Sequence, residues 1–152
     1  MSDQLLSPKI LGYWTLDQLS EVPDESGIYC VFRAAHDPES GEMEVQELLF
    51  VGEHRNARHA VTHHGDYAAW RDFLQPDEAL WVGVGLSGHA NRERLAAAMI
   101  NAHKPRFNLH SEYIEYFPFD QTTVHLYGKK DKLQSIFTVE RHDPPNQQQA
   151  AV

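Results

Sequence analysis

The chain predicts an α+β domain. Three observations carry that class: two β-branched and aromatic runs close together in the first third, a change to helical spacing after Gly52, and a third strand run leading into a long helix that Pro105 closes. Residues 1–26 read as a polar lead-in, where Trp14-Thr15-Leu16-Asp17 offers a short helix start with Thr15 as its cap. Val22 to Gly27 carries Pro, Asp, Ser and Gly and reads as a turn, and Ile28 to Phe32 reads as the first strand. A loop from His36 to Gly41 leads to a second strand over Val45 to Val51, so the pair forms a hairpin with a long connection.

Asn56 to His64 then fits a helix, with Asn56 as cap and Gly65 as stop. Tyr67 to Leu74 suits a second short helix ended by Pro76, and Ala79 to Leu86 a third strand broken by Ser87-Gly88. Ala90 to His103 is the clearest helix, with Leu95, Met99, Ala102 and His103 near one face. Beyond Asn108, Tyr113–Phe117, Thr122–Tyr127 and Ser135–Val139 have strand character, with a turn at Gly128-Lys129-Lys130-Asp131. Residues 109–142 therefore read as a β-rich C-terminal extension of the same domain. Residues 143–152 have low complexity and predict a disordered tail; no internal repeat is present.

A length of 152 residues suits one domain with a real core. No apolar run reaches the ~18–20 residues of a membrane span, and Met1-Ser2-Asp3-Gln4 lacks the basic start of a secretory signal, so a cytoplasmic protein is expected. Cys30 is the single cysteine, which excludes an internal disulfide and a cysteine zinc site; in a buried strand it is expected to be inert. The formal charge of -9 argues against indiscriminate binding to nucleic acid. The acid excess is uneven, with ten acids against two bases in residues 1–50 and six acids against seven bases in residues 51–110. A local basic face in the middle of the chain can therefore still meet phosphates.

Three runs stand at compatible spacings: Gly27-Ile28-Tyr29, Phe50-Val51-Gly52 and Lys104-Pro105-Arg106-Phe107-Asn108. Together they resemble the GIY-YIG nuclease family over residues 27–108, a little over half the chain. The resemblance implies a small three-stranded antiparallel sheet flanked by helices and metal-assisted hydrolysis of phosphodiesters, with Mg2+ or Mn2+ as cofactor in an active relative. It implies DNA as the partner, with RNA as the alternative, and no membrane. In that chemistry a tyrosine or histidine helps deprotonate water, an arginine stabilises charge on the phosphate, and a glutamate holds the metal.

Carried over by position, Tyr29 matches the first motif tyrosine, His64 a histidine that some members carry, and Asn108 the closing asparagine. Phe50 stands where a second tyrosine belongs, Ala60 at the arginine position and Ala96 at the metal-binding glutamate position. Glu93, one turn before Ala96, is a weak substitute ligand; Arg55, Arg58, Lys104 and Arg106 are the basic residues placed to meet nucleic acid. The chain as written is thus expected to be impaired. Its alanines fit natural decay into a non-catalytic module that contacts protein or nucleic acid, and equally fit deliberate replacement in an active nuclease.

Plainer readings accompany each residue. Tyr29 is also a strand aromatic, Asn108 a helix-exit turn residue, and Trp70 and Trp81 are core aromatics rather than base-stacking platforms. His59 and His63, four apart beside His64, are surface histidines unless further ligands complete a zinc site. Lys129 to Lys132 reads as a solvated hairpin tip.

Overall fold

The computed structural model describes residues 3–145 and is α+β. The chain runs β1 (Gln4–Leu6), β2 (Lys9–Thr15), a 3-10 turn (Leu19–Glu21), β3 (Gly27–His36), β4 (Met43–His54), α1 (Ala57–Thr62), α2 (Tyr67–Arg71), β5 (Glu78–Leu86) and α3 (His89–His103). Two 3-10 turns (Arg106–Asn108 and Glu112–Ile114) lead to β6 (Thr122–His125), β7 (Tyr127–Gly128) and β8 (Ile136–Val139).

The sheet corrects the expectation of three strands. β4, β3 and β5 are antiparallel neighbours as expected, but they belong to a five-stranded sheet of order β4-β3-β5-β2-β7, and β1-β6-β8 forms a second sheet of three. β2 joins β5 antiparallel and β7 parallel, and β1 joins β6 parallel. The segment before Gly27 therefore supplies two strands where a polar lead-in was expected, and Trp14 and Thr15 pair with Val82 and Trp81 instead of starting a helix. Ile10, Leu11, Tyr13 and Trp14 favour the extended chain. Gly12, at φ +138 beside the register shift, interrupts their alternation and hides the strand in the sequence.

The strand expected at Tyr113–Phe117 is also absent. Ser111 caps a 3-10 turn there, its Oγ accepting from the Tyr113 N–H at 3.2 Å, and only Phe117 bridges, to His142. The expected tail beyond residue 145 lies outside the described residues.

Alternation along β3 divides the core. Ile28, Cys30, Phe32 and Ala34 face α3, where Leu95 to Ile100 are buried, and the extension closes over this side with Phe117, Val124, Leu126, Phe137 and Val139. Tyr29 and Val31 point to the other face, among Val22, Leu49, Ala57, Val61, Trp70, Val82 and Val84 beneath α1 and α2. Burial pushes the Cys30 thiol up to about 12, so it remains an unreactive core group.

The extension is latched to α3 by His103. Its Nδ1–H donates to the Met99 carbonyl at 2.9 Å, its Nε2 accepts from the Gln134 N–H at 2.9 Å, and its ring meets Phe137 edge-on. Burial holds its pKa below the usual histidine value, so the unfolded chain takes up a proton that the folded chain resists. This stabilisation is complete above the unfolded pKa of ~6.5 and is lost as pH falls below it, with a slope of at most ~1.4 kcal/mol per pH unit for one proton. The unfolding free energy should therefore fall between pH 7 and 5, and a His103→Asn variant should show a shallower slope in urea titrations across that range. Equal slopes would remove His103 from the account.

Candidate functional site

The first two motif runs meet directly across a pair of strands. Tyr29 of β3 stands opposite Gly52 of β4, and Val31 opposite Phe50. A Cβ built on Gly52 would collide with Cζ and the hydroxyl of Tyr29, so the phenol lies flat over the glycine and needs its bare Cα. His64 covers the ring edge-on at 5.8 Å and Phe50 flanks it at 6.0 Å. His64 in turn packs on Phe50 at 5.2 Å, Tyr67 at 5.6 Å and Trp70 at 4.8 Å. Gly52→Ala should cost about 1–3 kcal/mol through overpacking, and pairing it with Tyr29→Ala should recover part of the loss in a double-mutant unfolding cycle. Strict additivity would show that the contact does not hold the glycine in place.

Tyr29 is 7% exposed, and its hydroxyl has no hydrogen-bond partner among the described residues. Burial, with Glu53 and Asp66 nearby, pushes its pKa up to about 12. At neutral pH it is a proton donor and not a base. Burial outweighs Asp66 at His64 and lowers that pKa, keeping the ring neutral. The Asp66 N–H donates to His64 Nδ1 at 3.3 Å, which places the ring proton on Nε2. Tyr29 is therefore a donor at neutral pH, and the neutral His64 ring is the one of the pair in a proton-accepting form, with its Nδ1 turned to the Asp66 N–H.

Asn108 is buried and takes both its bonds from one residue. Its Oδ1 accepts from the Val51 N–H at 2.8 Å and its Nδ2 donates to the Val51 carbonyl at 2.9 Å. It fixes the outer edge of β4 one residue from Gly52, a positioning task and not contact with a ligand. Asn56 caps α1 as expected, accepting from the His59 N–H at 3.0 Å.

Ala60 lies half-buried on α1 and packs against the cluster that holds Tyr29 and His64. Ala96 is 3% exposed under α3, in the cluster on the opposite face of the sheet. The two positions that the resemblance assigns to one site therefore face different sides. Glu93 is exposed and accepts from the Tyr113 hydroxyl at 2.9 Å. Of the four basic candidates, Arg58 donates to the Val22 carbonyl at 2.7 Å and Lys104 to the Ile114 carbonyl at 2.6 Å. Arg106 is held by Glu47 at 3.0 Å and lies over Phe73 at 4.3 Å, while Arg55 is exposed.

Local sequence gave no sign of a second polar group at this end of the sheet. Arg92 of α3 binds Glu53 through Nε and donates from Nη1 to Ser26 Oγ at 3.0 Å, joining residues 39 and 66 positions apart. Glu53 lies next to Gly52, but the arginine neutralises it. The residues present do not fit a Mg2+ or Mn2+ ion: the ligand position holds a buried methyl, Glu53 is paired with Arg92, and Glu93 with Tyr113. His59 and His63 do meet, rings 4.4 Å apart, with His54 stacked on His59 at 5.5 Å. Among the described residues, however, no three His, Cys, Asp or Glu side chains are grouped to hold a metal.

Fold and site define an α+β chain with a buried tyrosine at one end of a mixed five-stranded sheet. Comparison with family models, curated proteins and solved structures finds no match and assigns no family. No helix among the described residues is long and apolar enough to cross a membrane.

Proposed function

We propose that this chain is a GIY-YIG-like domain of the metal-dependent endonuclease lineage that contacts nucleic acid and, as its sequence stands, is impaired in phosphodiester hydrolysis. The observation that carries the reading is the Tyr29 phenol over Gly52, beneath His64, with its hydroxyl left without a protein partner. The spacing of the motif runs supports the lineage, and the cross-strand pairing of Tyr29 with Gly52 gives that spacing a packing reason. Impairment is supported by methyl groups at residues 60 and 96 and by the protonated state of Tyr29. Losing one electrostatic contact to the transition state typically costs ~3–4 kcal/mol, and two such contacts are missing.

A second reading, a nuclease-fold module that contacts a protein or nucleic acid without chemistry, is favoured by the engagement of Arg58 and Arg106 within the fold. Plasmid nicking in Mg2+ and in Mn2+, run beside a mobility-shift assay, separates these outcomes. The expected result is a DNA shift with no nicking above a protein-free control. Nicking that Tyr29→Phe abolishes would overturn the impairment. Nicking without dependence on Tyr29 would move the chemistry elsewhere, and absence of any shift on DNA or RNA would leave the protein-contact module.

A further inference from the structure

The chain has only five lysines, Lys9, Lys104, Lys129, Lys130 and Lys132, and the fold gathers them along one strap. β7 runs parallel to the start of β2, with Lys9 opposite Tyr127, and the Lys129 N–H donates to the Ile10 carbonyl at 2.8 Å. Lys9 and Lys129 thus line one shallow groove with Gly12 and Gly128. The strap then crosses Tyr13, whose hydroxyl accepts from the Asp131 N–H at 3.2 Å, and reaches α3, where the Gln134 N–H meets His103. At that end Lys132 lines a second groove with Lys104, Arg106 and His103 beside residues 46–48 of β4.

Lys9, Lys104, Lys129 and Lys132 are exposed and Lys130 is half-buried; Lys9 and the three strap lysines have no acid partner among the described residues. The acids here are Asp131, on the strap itself, Glu47, which Arg33 and Arg106 already bind, and Glu112 and Glu115, which line a further groove with Lys104. In a chain with a formal charge of -9, this is a separate positive surface. Its Lys104–Lys132 end lies at the C-terminal end of α3, on the order of 15–20 Å along the helix from Arg92 and Glu53, whereas its Lys9–Lys129 end lies beside Ile10, in the row of Gly85, Ile28 and Glu53, two strands from β3.

We infer that this lysine strap is the surface that binds the sugar-phosphate backbone of nucleic acid. This rests on the nucleic-acid reading above and places contact on the strap and the start of β2, running from the tyrosine end of the sheet to the far end of α3. A row of flexible ammonium groups across two shallow grooves suits a line of phosphates better than one small anion, which would call for converging donors in one pocket. Strand-backbone contact of this kind is insensitive to sequence and strongly dependent on salt.

The test is fluorescence anisotropy of a labelled DNA duplex, and of the matching RNA, titrated at several salt concentrations. The full chain is compared with a Lys129→Gln/Lys130→Gln/Lys132→Gln variant and with Arg71→Gln as a distant control, all checked for equal thermal unfolding. The triple variant should bind at least tenfold more weakly near 100 mM salt, and its slope of log K against log salt should shrink by about two to three. Equal binding by the triple variant would overturn the strap while leaving nucleic-acid contact standing. No binding to either nucleic acid would overturn both. Lysine-dependent binding to phosphatidylserine vesicles without nucleic-acid binding would reassign the surface to a membrane.

Discussion

Ala96→Glu should destabilise the chain by about 3–5 kcal/mol, the usual cost of a buried charge without a partner. The methyl of Ala96 is packed between α3 and the sheet face formed by Ile28, Cys30 and Phe32, and its neighbours Leu95, Ala97 and Ala98 are buried with it. A carboxylate there would have its pKa raised by desolvation. Its penalty should be slight below the unfolded glutamate pKa of ~4.3 and should grow as pH rises above it, because the unfolded chain releases the proton first. Urea unfolding of both proteins at pH 4 and pH 8 checks the size and the sign. A variant as stable as the parent at pH 8 would mean that residue 96 can reach solvent, and that a glutamate there could serve a site after all. If the penalty is found, an Ala60→Arg/Ala96→Glu double variant fails through the fold before chemistry is tested. Ala60→Arg is the milder substitution, because residue 60 is only half-buried.

Asn108→Ala should cost about 2–4 kcal/mol, since it leaves a buried N–H and a buried carbonyl of Val51 without partners, each worth ~1–3 kcal/mol. β4 is the outermost strand of its sheet, so no further strand is there to satisfy that edge. The asparagine amide does so in place of a strand. Hydrogen exchange at the Val51 amide is the direct readout. Protection should drop in Asn108→Ala, whereas Asn108→Asp keeps an acceptor for the Val51 N–H and loses only the donor to the Val51 carbonyl, so its cost should show in the unfolding free energy. A Val51 amide that keeps its protection in Asn108→Ala would show that Asn108 is a turn residue and nothing more.

The β3–β4 hairpin, β5 and α3 were legible because their apolar runs are long and their stops are strong, notably Ser87-Gly88 and Pro105. The opposition of Tyr29 and Gly52 was implicit in the motif spacing. The face on which each site residue lies was not. Leu49 and Phe50, neighbours in β4, pack on the same side of the sheet, because a register shift leaves Leu49 unpaired between the pairs Val31–Phe50 and Phe32–Leu48. No alternation pattern locates such a bulge. The outer strands escaped for a different reason. β1 and β7 hold three and two residues, and they pair in parallel with segments from the far half of the chain, so neither leaves a periodic signal. The two alanine positions read as one site along the sequence because nothing in it reports that α1 and α3 lie on opposite sides.

The pairing of β1 with β6 and of β2 with β7 bears on how the chain is made. Gln4 meets Thr122, and Lys9 meets Tyr127, so β1 and the outer edge of β2 wait for more than a hundred residues of further synthesis. At ~5–20 residues per second the nascent chain spends on the order of 5–25 s with these edges unmatched. During the last few of those seconds α3 is already complete, but its sheet-facing side lacks the cover of Phe137 and Val139. Holding chaperones should find their strongest site in that interval, and a nascent chain arrested near Asn108 should be far more sensitive to protease than one arrested after β8 has cleared the exit tunnel.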